Sequence, residues 1–244
     1  MIDDPYRDVQ LVDLYDVDNP GGDDHAYYRA LADAIDARSI IDLGCGTGLL
    51  TRSLATPGRT VIGVDPSRTM LDYAARQPGS ESVTWIHGDA SLLAQDGTAD
   101  LAICTGNAVM HISPEELPSV LKSLAGALRS GGTLSFESRH PGFREWERWT
   151  PEVTYGERDT PAGHLREWLE VTDAREGRVV FDAHNVFSTG EDRVYTSVLY
   201  FRTVEEFQRE LESAGFTDIA WTGGWHGAPF EDRFSFFVVR ARRA

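Results

Sequence analysis

The chain has 244 residues, with 23 Lys and Arg against 39 Asp and Glu for a formal charge of −16, and 41% of its residues are hydrophobic. This is the composition of a soluble globular protein with room for one large domain and a small appendage, and its negative field disfavours partners bound through phosphate backbones, so no nucleic acid is expected. The two cysteines, Cys45 and Cys104, lie in separate apolar runs without CxxC spacing. Neither a disulfide framework nor a metal site is expected from them, and a cytoplasmic location follows. The first sixteen residues are acidic and carry no apolar run, so no signal peptide is read, and no window reaches the roughly 18 to 20 apolar residues that span a bilayer. Arg240, Arg242 and Arg243 form the one basic strip, which reads as a solvated, frayed chain end.

Over residues 26–37, Tyr27, Leu31, Ala34 and Ile35 recur at helical spacing. Short β-branched runs then alternate with helix-forming segments: Ser39–Leu43, Thr60–Val64, Val83–His87, Asp100–Cys104 and Thr133–Glu137. Ser67 and Asp89 stand where N-caps are wanted, and Ser113-Pro114-Glu115-Glu116 places a proline at the expected first helical position with acids in the first turn. Arg129-Ser130-Gly131-Gly132 stops that helix before the fifth strand. Strands alternating with helices predict βαβ units and a parallel sheet.

Beyond residue 138 the pattern changes. Prolines and glycines cluster with Trp146 and Trp149, and three runs of β-formers at 165–171, 178–187 and 193–201 predict an antiparallel meander inserted into the α/β domain. Thr203 and Glu206 form a capping box for a helix over 204–214, and strands near 217–222 and 233–241 resume the sheet. The expected divisions are an N-terminal cap over 1–34, an α/β core over 35–137 and 202–244, and an inserted region over 138–201.

The first strand runs into Gly44-Cys45-Gly46-Thr47-Gly48 and then a helix. Glycines at alternate positions permit a tight strand-to-helix turn and bring a ligand against peptide N–H groups. Asp65, at the end of the second strand, can accept from both hydroxyls of a ribose, and Gly88-Asp89-Ala90 adds an acid after the third. All of these emerge at the carboxyl ends of parallel strands, where open sheets bind ligands. A dinucleotide grip wants GxGxxG, and here the sixth position is Leu49.

These residues resemble the class I S-adenosylmethionine-dependent methyltransferases: Ile41-Asp42-Leu43-Gly44-Cys45-Gly46-Thr47-Gly48, Asp65, Gly88-Asp89-Ala90, Ala99-Asp100-Leu101 and Leu128-Arg129-Ser130-Gly131-Gly132. The resemblance covers about residues 30–140 and the closing helix and strands. It implies a doubly wound, mostly parallel seven-stranded Rossmann-like sheet, with S-adenosyl-L-methionine as cofactor and S-adenosyl-L-homocysteine as product. It further implies that Gly44, Cys45, Gly46 and Gly48 line the methionine portion and that Asp42 acts on its amino-acid end. Asp65 would hold the ribose, Asp89 and Ala90 the adenine, Pro66 and Met70 would flank it, and Thr105 and Gly106 would pass under the sulfonium.

Methyl transfer from a sulfonium is an in-line displacement and needs alignment more than a catalytic group. Where the acceptor needs a base, histidine titrates nearest neutrality. Of seven histidines, His111 follows the fourth strand and His140 the fifth, which makes them the candidates. Trp146 and Trp149 read either as part of a lid or as anchors for the insertion, and Tyr15, Tyr27 and Tyr28 either as cofactor cover or as sheet packing. The expected partner is a small-molecule acceptor, with no membrane or metal, and the protein itself a monomer or homodimer. A non-catalytic cofactor binder and a nicotinamide oxidoreductase stand as alternatives.

Overall fold

The computed structural model describes residues 5–244, so the first four residues of the expected N-terminal cap lie outside it. Two helices, α1 (Val9–Asp18) and α2 (Asp23–Ala34), lead into β1 (Ser39–Leu43), α3 (Leu49–Leu54), β2 (Thr60–Asp65), α4 (Arg68–Ala74), β3 (Val83–His87), β4 (Ala99–Cys104), α5 (Leu117–Ala127) and β5 (Leu128–Arg139). A short α6 (Pro151–Thr154) precedes β6 (Gly156–Thr160), β7 (Gly163–Arg175), β8 (Arg178–Val186) and β9 (Asp192–Tyr200), after which α7 (Val204–Ser213), β10 (Phe216–Gly223), β11 (Ala228–Pro229) and β12 (Phe236–Arg243) complete the chain.

The main sheet runs β11-β10-β12-β5-β4-β1-β2-β3. Strands β1 to β5 pair in parallel, and β12 runs antiparallel between β5 and β10. Seven strands were expected; the two-residue β11, paired to the end of β10, makes eight. The chain winds outward from β1 through β2 to β3 and then returns to β4 on the other side of β1, so strand order reverses between β1 and β4. That reversal opens a crevice at the carboxyl ends of these two strands.

Strand alternation sends side chains to two apolar layers. Ile41, Leu43, Leu134 and Phe136 join Leu121 and Leu124 of α5 and Phe207 and Leu211 of α7. On the opposite face Ile40, Val61, Leu101 and Ile103 meet Tyr28 and Leu31 of α2 and Leu50 and Leu54 of α3. Helix α2 thus belongs to the packed α/β layer. Fully burying side chains of this size stabilises by roughly 1.5 to 3 kcal/mol each.

The insertion is a four-stranded antiparallel sheet, β6-β7-β8-β9, where three strands were expected. Strand β6, Gly-Glu-Arg-Asp-Thr, holds few β-formers and is built on its pairing with β7. Trp146 and Trp149 pack against Phe201, with ring centroids 4.4 and 6.2 Å away, and they join the layer around α7. They anchor the insertion to the core.

Helix α5 begins at Leu117, three residues later than Pro114 implies. Ser113 and Glu116 do exchange backbone and side-chain hydrogen bonds, but they do so in the turn before regular α-helix starts. Strand β5 continues to Arg139 because it pairs with β12 that far. The arginines of the C-terminus are held in β12: Arg242 donates to the Gly131 carbonyl at 3.2 Å and Arg243 donates to that of Leu128. Backbone pairing to β5 and β10 fixes what sequence position alone marked as a loose end. Among the described residues, no helix is long and apolar enough to cross a membrane.

Candidate active site

A cavity of about 510 Å³ opens at the carboxyl ends of β1 and β4. Its floor is Asp42, Gly44, Cys45, Gly46 and Thr47 with the Thr105–Asn107 loop, and its cover comes from Tyr6, Tyr15, His111, Phe181 and Leu199. The glycine turn and the inserted sheet therefore face each other across one space.

Gly44, Gly46 and Gly48 all have positive φ, as the tight turn requires, but for different surroundings. A Cβ on Gly48 would come within 2.3 Å of the Trp85 ring, whereas one on Gly46 or Gly106 would meet nothing within 4 Å. Gly48 is a packing glycine outside the cavity lining. Around Gly46 and Gly106 the space is open.

Asp42 is buried and points from β1 toward α3. Its Oδ2 accepts from the Thr51 hydroxyl at 2.6 Å, while its Oδ1 is buried with no hydrogen-bond partner among the described residues. Burial pushes its carboxyl up to about 7, opposed by the Thr51 hydrogen bond and reinforced by Asp65. An orphaned carboxylate oxygen on the cavity floor, beside two open glycine cradles, fits the ammonium-bearing end of S-adenosylmethionine.

Asp65 spends both oxygens on backbone: Oδ2 accepts from Gly46 N–H and Oδ1 from Ser67 N–H, each at 2.8 Å. It ties the glycine turn to the start of α4, whose N-cap is Ser67. The neighbouring residues expected at the adenine lie outside the cavity lining. Met70 and Ala90 are buried, 2% and 1% exposed, because α4 and the turn after β3 turn them inward. Asp89 accepts from Ser91 N–H, and hydrogen bonding from the Ser91 hydroxyl and N–H holds its carboxyl below the usual range, while Pro66 lends its carbonyl to the His87 ring at 3.1 Å. The turn at Pro5–Arg7 lies over this region, since Ser67 donates to the Tyr6 carbonyl and Thr69 to that of Arg7.

His111 lines the cavity and meets the Tyr6 ring edge-on at 5.9 Å. His140 does not reach it. Because β5 runs on to Arg139, His140 falls past the rim, where its ring sits between Phe143 and Phe230 at 5.9 and 5.2 Å and its main-chain N–H donates to Ser235.

A second cavity of about 270 Å³ adjoins the first, and Asn107 and Arg139 line both. It contains Glu137, a carboxylate 3% exposed. Glu137 accepts from Asn107 N–H at 2.7 Å and from the Tyr28 hydroxyl. Burial pushes its carboxyl up to about 7 against these two hydrogen bonds. The sequence signal for Glu137 is a carboxylate in register with inward-facing residues of a strand covered on both faces.

A methyltransferase-domain family model matches residues 40–132. The chain is 27% identical over 213 residues to the cypemycin N-terminal methyltransferase of a Streptomyces species, covering 86% of this chain and 84% of that protein. The match over residues 40–132 and this relative support a class I S-adenosylmethionine-dependent methyltransferase. Its fold superposes on the CcbJ methyltransferase of Streptomyces caelestis with a TM-score of 0.78 at 21% identity, covering 99% of this methyltransferase and 100% of CcbJ. It also superposes on S-adenosylmethionine-bound CalS10, an amino pentose methyltransferase of Micromonospora echinaspora, with a TM-score of 0.69 at 21% identity over 95% and 97% of the two chains.

Proposed function

We propose that this methyltransferase acts on a small-molecule acceptor held beneath the inserted sheet. The observation that carries this reading is the shape of the larger cavity, a half-open cleft with the glycine turn below and Tyr6, Tyr15, Phe181 and Leu199 above. Such a site takes a compact molecule out of water and offers no long face for a polymer. CalS10 is an amino pentose methyltransferase, which agrees with an acceptor of this size.

Bound S-adenosylmethionine supplies a methyl group on a positively charged sulfur, ready for in-line displacement. On this reading Asp42 receives the ammonium end, and Gly44, Cys45, Gly46, Thr105 and Gly106 form the cradle. Asp65, with both oxygens accepting N–H donors, fixes the turn that faces the ribose. His111 and Tyr6 wall the acceptor side, and the region 138–201 roofs it and excludes water, which strengthens the electrostatics within. The division into an α/β core and an acceptor-covering insertion is part of the same proposal.

Calorimetry with S-adenosylhomocysteine, followed by a screen of acceptor mixtures with methyl-labelled cofactor, tests it. Micromolar affinity, about 8 kcal/mol, and label transfer to a small acceptor are expected. Transfer only to protein or nucleic acid would refute it.

A further inference from the structure

The smaller cavity has a chemistry of its own. Two of its polar walls accept hydrogen bonds and lack a matching cation among the described residues. Glu137 is buried there with neutral donors from Tyr28 and Asn107, and Asn107 Oδ1 is buried with no hydrogen-bond partner among the described residues. Among the described residues the cavity's one cation, Arg139, is already paired with Glu145 and lies over the Trp149 ring at 5.8 Å. The apolar wall is aromatic, with Trp225 against Phe236 at 5.1 Å and Tyr28 at 5.9 Å. Acceptor oxygens and aromatic faces around a net negative charge match a ligand carrying positive charge and several N–H donors. An alcohol offers one donor and no charge.

We infer that this cavity is the acceptor's nitrogen subsite: the substrate is a primary or secondary amine whose ammonium is held by Glu137 and Asn107 against Trp225. This rests on the small-molecule reading above. An ammonium has no lone pair to give, so a proton must leave before transfer. Glu137 takes one N–H proton, the freed nitrogen lone pair forms the bond to the methyl carbon, and the carbon–sulfur bond breaks with its electrons staying on sulfur. The product leaves as a methylated ammonium, and Glu137 returns its proton to solvent. Burial supports the role by bringing the carboxyl to about 7, where it can both hold and release a proton. The other titratable groups acting on this pair are Asp24, which raises the Glu137 carboxyl further, and the Tyr27 hydroxyl and Cys104 thiol, which bear on Tyr28. Tyr28 acts through Glu137 as a positioning residue, its hydroxyl fixing one carboxylate oxygen while Asn107 N–H fixes the other.

The test uses the full chain saturated with S-adenosylhomocysteine and titrated at pH 8 with benzylamine or benzyl alcohol. Benzylamine is expected to bind more tightly than the alcohol, and Glu137→Gln to weaken the amine by at least about tenfold while leaving the alcohol unchanged. Asn107→Gly keeps the left-handed backbone, removes Oδ1, and should also weaken the amine; it carries the test alone if Glu137→Gln does not fold. Equal amine affinity in wild type and variants, an alcohol bound as tightly as the amine, or no amine binding would overturn the inference. If S-adenosylhomocysteine binds and the amine preference is absent, only the nitrogen subsite fails. If the wild-type chain does not bind S-adenosylhomocysteine, the functional reading fails with it.

Discussion

Replacing Asp42 by asparagine is expected to stabilise the cofactor-free protein, increasingly so as pH rises. The Asp42 carboxyl, 1% exposed, is pushed from 3.8 to about 7 chiefly by burial. A carboxyl whose folded pKa exceeds its unfolded one contributes stability that is fully present below about pH 3.8 and is lost as pH rises through about 7. In between, the unfolded chain releases the proton while the folded chain keeps it. A displacement of this size is worth about 4 kcal/mol in all, of which about 2 to 3 kcal/mol falls between roughly pH 5 and pH 8. Asparagine cannot ionise, yet it retains an oxygen for the Thr51 hydroxyl, so the variant should lose this part of the slope and keep its fold. Glu137, raised from 4.5 to about 7, slopes the same way, so wild type carries two such contributions and the variant one. Urea denaturation of the cofactor-free proteins, followed by circular dichroism at intervals across this range, measures the difference. Parallel stability curves for wild type and Asp42→Asn would refute the reasoning. The same variant should bind S-adenosylmethionine more weakly, since the orphaned oxygen then carries no charge for the ammonium.

Three further substitutions test neighbouring steps. Gly48→Ala should destabilise strongly, because its Cβ meets the Trp85 ring at 2.3 Å, whereas Gly46→Ala should cost only the left-handed backbone strain of about 1 to 2 kcal/mol and weaken cofactor binding; equal thermal stability of the two would contradict the distinction. Tyr28→Phe removes a donor that holds the Glu137 carboxyl down, so the carboxyl should titrate higher than in wild type by difference infrared spectroscopy, and an unmoved or lowered titration would reject the pairing. Asp8 caps α1 and accepts from Arg193 at 3.0 Å and Tyr195 at 2.5 Å on β9; Asp8→Ala should cost about 1 to 2 kcal/mol and speed proteolysis within α1, and an unchanged cleavage rate would dismiss this link to the inserted sheet.

What the sequence made legible follows from how local each signal is. The turn Gly44–Gly48, the acid at Asp65, the N-cap at Ser67 and the capping box at Thr203 are each set by residues within a few positions, and each stands where the pattern places it. Strand β6 was not legible, because its residues are polar and only pairing with β7 makes them a strand. Nor was the position of His140, which depends on how far β12 extends the β5 ladder from the far end of the chain. Gly46 and Gly48 look equivalent in the motif, and only the Trp85 ring from β3 separates their roles. Glu137 needed the same long-range knowledge: its partners Tyr28 and Asn107 come from α2 and the loop after β4.

The two raised carboxyls share a cause that joins fold to function. Asp42 on β1 and Glu137 on β5 flank β4 and point to the α2 and α3 side of the sheet, each at a strand's carboxyl end and each lining a cavity. A charge in such a position is costly when its counter-charge is missing, yet among the described residues neither has a basic side chain as a hydrogen-bond partner. Apolar replacements would suit the empty fold better, so the carboxylates make physical sense as groups completed by cationic ligands. On the proposed reading the cofactor's ammonium completes Asp42 and the acceptor's ammonium completes Glu137. Each ligand would then bind the charged form preferentially, lower that carboxyl's pKa, and gain affinity as pH rises through about 7. The unliganded protein loses stability over the same interval, so ligand-induced stabilisation should grow there as the bare fold weakens.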